Sequence, residues 1–334
     1  MITVALDGSG DYTSLQEAIE AVERNNEQST REIQIKPGIY KEHVTVLKDD
    51  LTITGLTDDP SQVVISWGDY ANDILPNGEK RGTFRTSTLL LIASHIHCKN
   101  LTVENTAGFG TEVGQAIAVY AEGEDLTFEH CRILGHQDTL FTGPLPFKEA
   151  KPGGFIGPTE HYPKVVGHQC YTDCYIEGEV DFIFGSAMAY FENCEIHSLN
   201  RNKEINGYVT AASTYAGEKY GYVFSHCRFT SDCPKHTVYL GRPWRIDAKT
   251  VLLHCELGEH IHPEGFFDWN KPESHDTVLY AEYQNYGPGA DPEHRTRASY
   301  VTTLTDEEAK YYTKEQVLGC TPLHFDPHLN PWRD

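Results

Sequence analysis

The 334-residue chain is short of positive charge. Lys and Arg number 27 against 49 Asp and Glu, a formal net charge of −22. That balance excludes a nucleic-acid surface, whose phosphates need a basic partner, and docking on an anionic membrane. Long apolar runs are also missing. Stretches such as Leu89–Ala93 fall far below the roughly 20 residues that span a bilayer. No basic and apolar leader opens the sequence, and Met1-Ile2-Thr3-Val4 reads as a strand. A cytoplasmic location is therefore expected, with secretion after loss of a leader as the alternative. A Gly-rich phosphate loop, a G-x-S-x-G elbow and an H-E-x-x-H pair are all lacking. Disorder is excluded, because 39% of the residues are apolar, enough for a large core.

Nine cysteines are an odd number in a chain too long to need disulfide staples. They read as buried free thiols behaving as small hydrophobes. Cys170-x-x-x-Cys174, His95/His97 and His260/His262 lack the partners of a zinc site, so no metal is expected.

The cysteines belong to a degenerate repeat. Units of the form apolar-x-(His/Asn/Asp)-Cys recur at Phe128–Cys131, Tyr171–Cys174, Phe191–Cys194, Phe224–Cys227 and Leu252–Cys255. The Cys-to-Cys steps are 43, 20, 33 and 28 residues. Leu101–Asn105 also aligns with Leu126–His130, 25 residues on. The segments between, such as Glu32–Lys36, Val44–Val46, Leu51–Thr54, Val63–Ser66 and Thr88–Ile92, are strand-like in composition. One short strand recurring at irregular intervals, with no alternating helices, predicts a solenoid of stacked coils. In a parallel β-helix the inward side chains pile into ladders, which gives the Cys, Phe and Ile recurrences a physical reason.

Helical patterns are confined to the ends. Ser14-x-x-Glu17 is a capping-box pattern, and Leu15, Ala18, Ile19 and Val22 follow at helical spacing, predicting a plug for the first coil. Thr305-x-x-Glu308 and Thr313-x-x-Gln316 predict two more short helices in a C-terminal tail from about residue 300, the second stopping near Gly319. The Pro/Gly-rich stretch 143–167 reads as an inserted loop, since the repeat resumes at Tyr171. The expectation is an all-β single domain over residues 1–334.

Four segments stand out from the repeat: Gln115–Ala118, Gln137–Leu140, Asp181–Gly185 and Leu240–Trp244. Each has a plain reading. Asp138 or Asp181 could cap a turn or pair with Arg242 structurally. Gln115 and Gln137 could form an amide ladder in apolar strands, and Trp244 could be core. Yet a buried carboxylate is costly to keep unpaired, so these residue types are not incidental. Together they can also do chemistry. Two carboxylates can split nucleophilic and acid–base duties when their environments differ. Amides can bind an oxyanion, an arginine can position one carboxylate, and an indole can face a sugar ring.

The pattern resembles the pectin methylesterases (pectinesterases), carbohydrate esterases that demethylate homogalacturonan. Gly38-Ile39-Tyr40-Lys41-Glu42 and the four segments above match five family signatures in the family's order. Asp7–Tyr12 and Gly82-Thr83-Phe84-Arg85 are similar too, so the likeness runs from about Ile2 to Trp269. It implies a single-stranded right-handed parallel β-helix. It also implies that Asp181 is the nucleophile on the C6 carbonyl, forming an acyl-enzyme. Asp138 would protonate departing methanol and then activate water. Gln115 and Gln137 would stabilise the oxyanion, and Arg242 would orient Asp181 and hold it as the anion. Thr83, Gln115, Phe184, Arg242 and Trp244 would contact substrate, and Gly38–Glu42 would be mainly scaffold. No cofactor is implied. The expected partner is methylated pectin or oligogalacturonides, met by a monomer.

Two departures accompany the likeness. Asp181 follows Asp138 by 43 positions, where relatives have about 20, roughly one coil. His136 stands where Tyr or Phe is common, either as a packed ring or as a modulator of the pH profile. A pectin glycoside hydrolase using two aspartates and a noncatalytic carbohydrate-binding solenoid remain as alternatives. Finally, the reactive methyl ester is neutral and its product anionic. An acidic body is thus expected to favour highly methylated stretches, with Arg242 a local exception.

Overall fold

The computed structural model describes residues 1–24, 31–293 and 295–323. The chain winds into successive coils, and a full coil gives one short strand to each of three sheets. Among the described residues these sheets have eleven, eight and seven strands. Pairing is parallel from Ile2↔Ile33 at one end to Tyr280↔Val301 at the other. The result is a right-handed parallel β-helix, the hand that parallel crossovers adopt.

The repeat explains how a coil turns its corner. Cys131, Cys174, Cys194, Cys227 and Cys255 are buried and free. Each Sγ donates to a backbone carbonyl of the preceding coil, at Cys98, Phe128, Tyr171, Phe191 and Phe224, over 3.3 to 3.5 Å. The residue just before each cysteine is left-handed: His130, Asp173, Asn193, His226 and His254 have φ between 51° and 55°. Asn, Asp and His tolerate that conformation better than most side chains, which accounts for the third position of the repeat. The apolar first position forms a stacked ladder, Phe128–Tyr171–Phe191–Phe224, with ring centroids 5.1, 4.7 and 4.5 Å apart. Ile133, Ile176, Ile196 and Phe229 form a second inward ladder. The cysteine steps equal the coil lengths, as Arg132↔Tyr175, Tyr175↔Glu195, Glu195↔Arg228 and Arg228↔Glu256 show. The alignment of Leu101–Asn105 with Leu126–His130 does not hold. Leu126 pairs with Ile96, and Thr102 with Arg132. Two strands of similar composition belong to different sheets, and composition does not say which.

The helix Leu15–Arg24 covers the open first coil, with Leu15, Ala18, Ile19 and Val22 buried. Ser14 caps it, accepting from the Glu17 amide at 3.2 Å. The carboxylate at this N-terminus is that of Glu42, which accepts from Ser14 Oγ, the Leu15 amide and the Gln16 amide at 2.8, 3.0 and 2.9 Å. An anion there also complements the helix dipole. Glu42 therefore ties the Gly38–Glu42 signature to the scaffold. Near the other terminus, Thr305 and Glu308 form a full capping box for Asp306–Ala309, and Thr313 caps Lys314–Leu318. The latter helix packs on the outer face of the eleven-stranded sheet, against His168–Thr172 and Met188–Glu192. Lys314 Nζ there donates to Glu192 at 3.0 Å. Residues 324–334 of the expected tail lie outside the described residues.

The inserted stretch leaves after the strand Leu140–Thr142 and rejoins at His168–Thr172. It folds back on the helix and buries Leu145, Phe155 and Thr159. Thr159 Oγ1 lies 2.6 Å from Tyr120 Oη and donates to Glu122 at 2.7 Å. Burial pushes the Glu122 carboxyl above its usual range.

Candidate active site

The site is built on the seven-stranded sheet. Leu140 pairs with Ile183, and continuing that register backwards puts Asp138 opposite Asp181 on the next coil. Adjacent strands lie about 4.8 Å apart, so the register alone brings the two carboxylates together. The Asp138 amide donates to Val180 O at 3.0 Å and fixes the alignment. Both aspartates have left-handed backbones, with φ of 63° at Asp138 and 51° at Asp181. Non-glycine residues held this way are costly and tend to cluster where function needs them. At Asp181 the twist coincides with a register shift between Val180 and Ile183. Phe182 stays in the core while Asp181 faces the cleft.

Arg242 follows the strand Val238–Gly241 and reaches back to Asp181. Its Nε donates to Oδ1 at 2.8 Å and its Nη2 to Oδ2 at 2.7 Å, a two-pronged ion pair. Such pairs fix geometry as well as charge. The guanidinium is clamped between two rings, with its carbon 3.6 Å from the Trp269 centroid and 3.9 Å from that of Tyr208. Asp138 is differently placed. Burial, and then the charge of Asp181, hold its carboxyl well above the usual carboxylate range, with Arg242 opposing only in part. The dyad is thus split into one member that burial inclines to keep its proton and one paired with a cation.

A cavity of about 280 Å³ opens over this pair. All eight residues singled out from the sequence line it: Thr83, Gln115, Gln137, Asp138, Asp181, Phe184, Arg242 and Trp244. Their local settings differ from expectation in one respect. Gln115 precedes the strand Val119–Glu122, and Gln137 and Asp138 form the turn before Leu140–Thr142, so none of the three lies within a strand. Neither glutamine amide is engaged by another side chain among the described residues, so they do not form an amide ladder. Gly110 closes on Gln137 tightly, since a Cβ there would meet Gln137 Oε1 at 2.5 Å. Phe184 is nearly buried and forms the apolar floor with Phe84 and Phe141. Trp244 is half-buried and lies nearly parallel to Phe84, at 6.4 Å and 16°.

Sequence reasoning missed Tyr208 and Trp269, which grip Arg242. Trp269 stood at the end of the family likeness, outside any motif. It also missed that Lys151 and Phe155 of the insertion line the cavity. Phe155 packs edge-on against Phe84 and Trp244, at 5.7 and 6.0 Å. A Pro/Gly-rich composition signals a loop but not what the loop covers. His136 packs on Phe109 at 4.6 Å, with Nδ1 3.7 Å from Glu179 Oε2. Among the described residues there is no group of three or more His, Cys, Asp or Glu side chains able to hold a metal ion.

A family model described as Pectinesterase matches residues 1–145 and 162–321, and so passes over 146–161 within the inserted stretch. Pectinesterase 31 of Arabidopsis thaliana is 34% identical over 338 residues, covering 99% of this chain and 94% of that relative. The solved pectin methylesterase from carrot is 28% identical with a TM-score of 0.78, covering 95% of this chain and 92% of its own. A pectin methylesterase solved in complex with a hexasaccharide is 27% identical with a TM-score of 0.76, covering 96% and 98%.

Proposed function

The chain belongs to the pectinesterase family and hydrolyses methyl esters of pectin, and we propose that it does so through an acyl-enzyme on Asp181. The observation that carries the proposal is the asymmetry of the dyad: Arg242 grips both oxygens of Asp181, while burial and the charge of Asp181 hold the Asp138 carboxyl well above the usual carboxylate range.

The steps follow from that asymmetry. A carboxylate oxygen of Asp181 attacks the C6 carbonyl of a methylated galacturonate. The carbonyl π electrons move onto oxygen, and the amides of Gln115 and Gln137 donate to the oxyanion. The C6–methoxy bond then breaks. Methoxide is a poor leaving group, and Asp138 gives it a proton so that methanol departs, a contribution of roughly 10²–10⁴-fold. An anhydride between Asp181 and the sugar remains. Asp138, now a carboxylate, takes a proton from water, whose oxygen attacks C6. The anhydride C–O bond breaks, Asp181 leaves as the carboxylate, and the product is free galacturonate. Dividing the hydrolysis in two is the usual gain of covalent catalysis.

Trp244 and Phe155 give the sugar apolar walls, and Thr83 lines the same cavity. The substrate is methylated pectin or its oligogalacturonides, acted on by a monomer. The paired glutamines favour an esterase over a glycoside hydrolase, because an acyl oxyanion needs donors and an oxocarbenium ion does not. The assay is incubation with highly methylated pectin, measuring methanol and new reducing ends. Methanol without reducing ends is expected. Reducing ends without methanol would overturn the reading, as would binding with neither product.

A further inference from the structure

The departure at His136 has a partner. Opposite it on the next coil stands Glu179, two residues before Asp181, with its side chain wholly shielded from solvent. His136 Nδ1 lies 3.7 Å from Glu179 Oε2. Both atoms are buried, and neither has a hydrogen-bond partner among the described residues. Polar atoms left so are few in folded proteins, and they are costly. A hydrogen bond between such groups is about 3.0 Å long, so a small closure would pair them.

The other oxygen of Glu179 is engaged. Oε1 accepts the Gly110 amide at 2.7 Å, from a residue 69 positions away in sequence. Gly110 opens the short helical turn Gly110–Val113, which leads into Gln115. The same glycine rests on Gln137. A Cβ there would meet Gln137 Oε1 at 2.5 Å, Gln137 Cβ at 2.6 Å and Glu179 Oε1 at 2.9 Å, so the three residues meet where no side chain fits. With its oxygen against Gly110, Gln137 has its amide nitrogen left for the cavity that it lines. That nitrogen is the donor an oxyanion needs. The main chain of Glu179 is fixed from both sides: its amide donates to His136 O at 2.9 Å, and its carbonyl accepts the Tyr208 amide at 3.1 Å. Glu179 itself does not line the cavity.

We propose that Glu179 is the positioning residue of Gln137: holding Gly110 with one oxygen and facing His136 with the other, it sets where the donor of the glutamine stands over the acyl carbon. The inference rests on the ester-hydrolysis reading above and adds a residue that the reading does not use. Placement matters at this scale, because a shift of about 1 Å at a reacting centre can cost roughly 10²-fold in rate.

The test is a mutant cycle on methylated pectin, with Glu179→Met and Gln137→Ala made singly and together. Methionine fills much of the space of glutamate but offers the Gly110 amide no oxygen. Glu179→Met should lower kcat by about 30-fold and change KM less than about threefold, short of the roughly 10²–10³-fold for outright loss of an oxyanion donor. Glu179→Gln keeps an acceptor for the amide and should hold kcat within about threefold of the parent. In the Gln137→Ala background Glu179→Met should cost less than about threefold, since its effect passes through the glutamine. A merely structural role lowers kcat equally in both backgrounds, and that result overturns the proposal, as does a methionine variant as active as the glutamine one. Should Glu179→Met fail to fold, Gly110→Ala takes its place in the cycle. The added methyl parts Gln137 from Glu179, and its cost of about tenfold in kcat should likewise vanish beside Gln137→Ala; an equal cost in both backgrounds overturns the proposal. Hydrogen exchange at the Gly110 amide needs no turnover and is the second arm. Exchange should be about tenfold faster in Glu179→Met than in the parent and unchanged in Glu179→Gln, and equal rates in all three overturn the proposal. If the unaltered protein releases no methanol, the ester-hydrolysis reading fails, and the exchange then decides the hold of Glu179 on Gly110 by itself.

Discussion

Asp138 and Asp181 stand in register on adjacent coils although they are 43 positions apart in sequence, because the pairing Leu140↔Ile183 is kept while the inserted loop is extruded between. The loop lengthens the connection without moving the chemistry. Closing a longer loop costs little, growing only with the logarithm of its length. Leu145 and Phe155 return part of that cost by burial against the cleft.

The dyad makes a prediction about stability as well as rate. The Asp138 carboxyl is held above its usual range, so over an interval starting near the ordinary value of about 3.9 the folded protein keeps a proton that the unfolded chain loses. Stability contributed by that proton is complete below the unfolded value and is lost as pH rises through the folded one. Asp138→Asn removes this dependence. The variant should melt higher than the parent at pH 7, with the gap closing toward about pH 4, while methanol release falls roughly 10²–10⁴-fold. A variant with parental activity would remove Asp138 from its role.

The rate itself should show the same proton. Acylation needs Asp138 protonated, so kcat/KM should fall on the alkaline side with an apparent pKa above the ordinary carboxylate range. The value will belong to the coupled pair and not to Asp138 alone. A pH–rate profile flat through that region would contradict the assignment.

Arg242→Lys should not be conservative. A lysine keeps the charge but loses the fork on Asp181 and the fit between Tyr208 and Trp269. We expect kcat to drop by about two orders of magnitude, or about 2.7 kcal/mol of barrier. KM should change less, and steady-state kinetics on methylated pectin separates the two.

The free thiols give a simpler expectation. All nine cysteines are unpaired, so the melting temperature should be the same with and without reductant. Replacing Cys194 by Leu overfills a ladder in which each thiol donates to the coil below, and should cost about 1–3 kcal/mol by denaturant titration.

How much of this was readable beforehand depends on the range of the signal. The cysteine units spelled out the coil lengths because each marks the same corner, and the left-handed residue before the thiol restricts what can stand there. The eight cleft residues were readable because they sit in contiguous motifs. Tyr208 and Trp269 were not, since their only signal is proximity to Arg242 across two coils. The Glu42 cap was hidden for the same reason: the local Ser14–Glu17 pattern was visible, while the carboxylate at the helix terminus comes from 28 residues away. Buried walls contributed by the insertion carry no periodicity at all.

The central claim is that Asp181 forms an acyl-enzyme. It is tested by turnover of methyl and ethyl esters of the same oligogalacturonide with hydroxylamine present, measuring the ratio of hydroxamate to free acid. A common acyl-enzyme has already lost its alcohol, so the two esters should give the same ratio, after correction for the reaction without enzyme. A ratio that changes with the alcohol would mean that water attacks the ester directly, and would contradict the account.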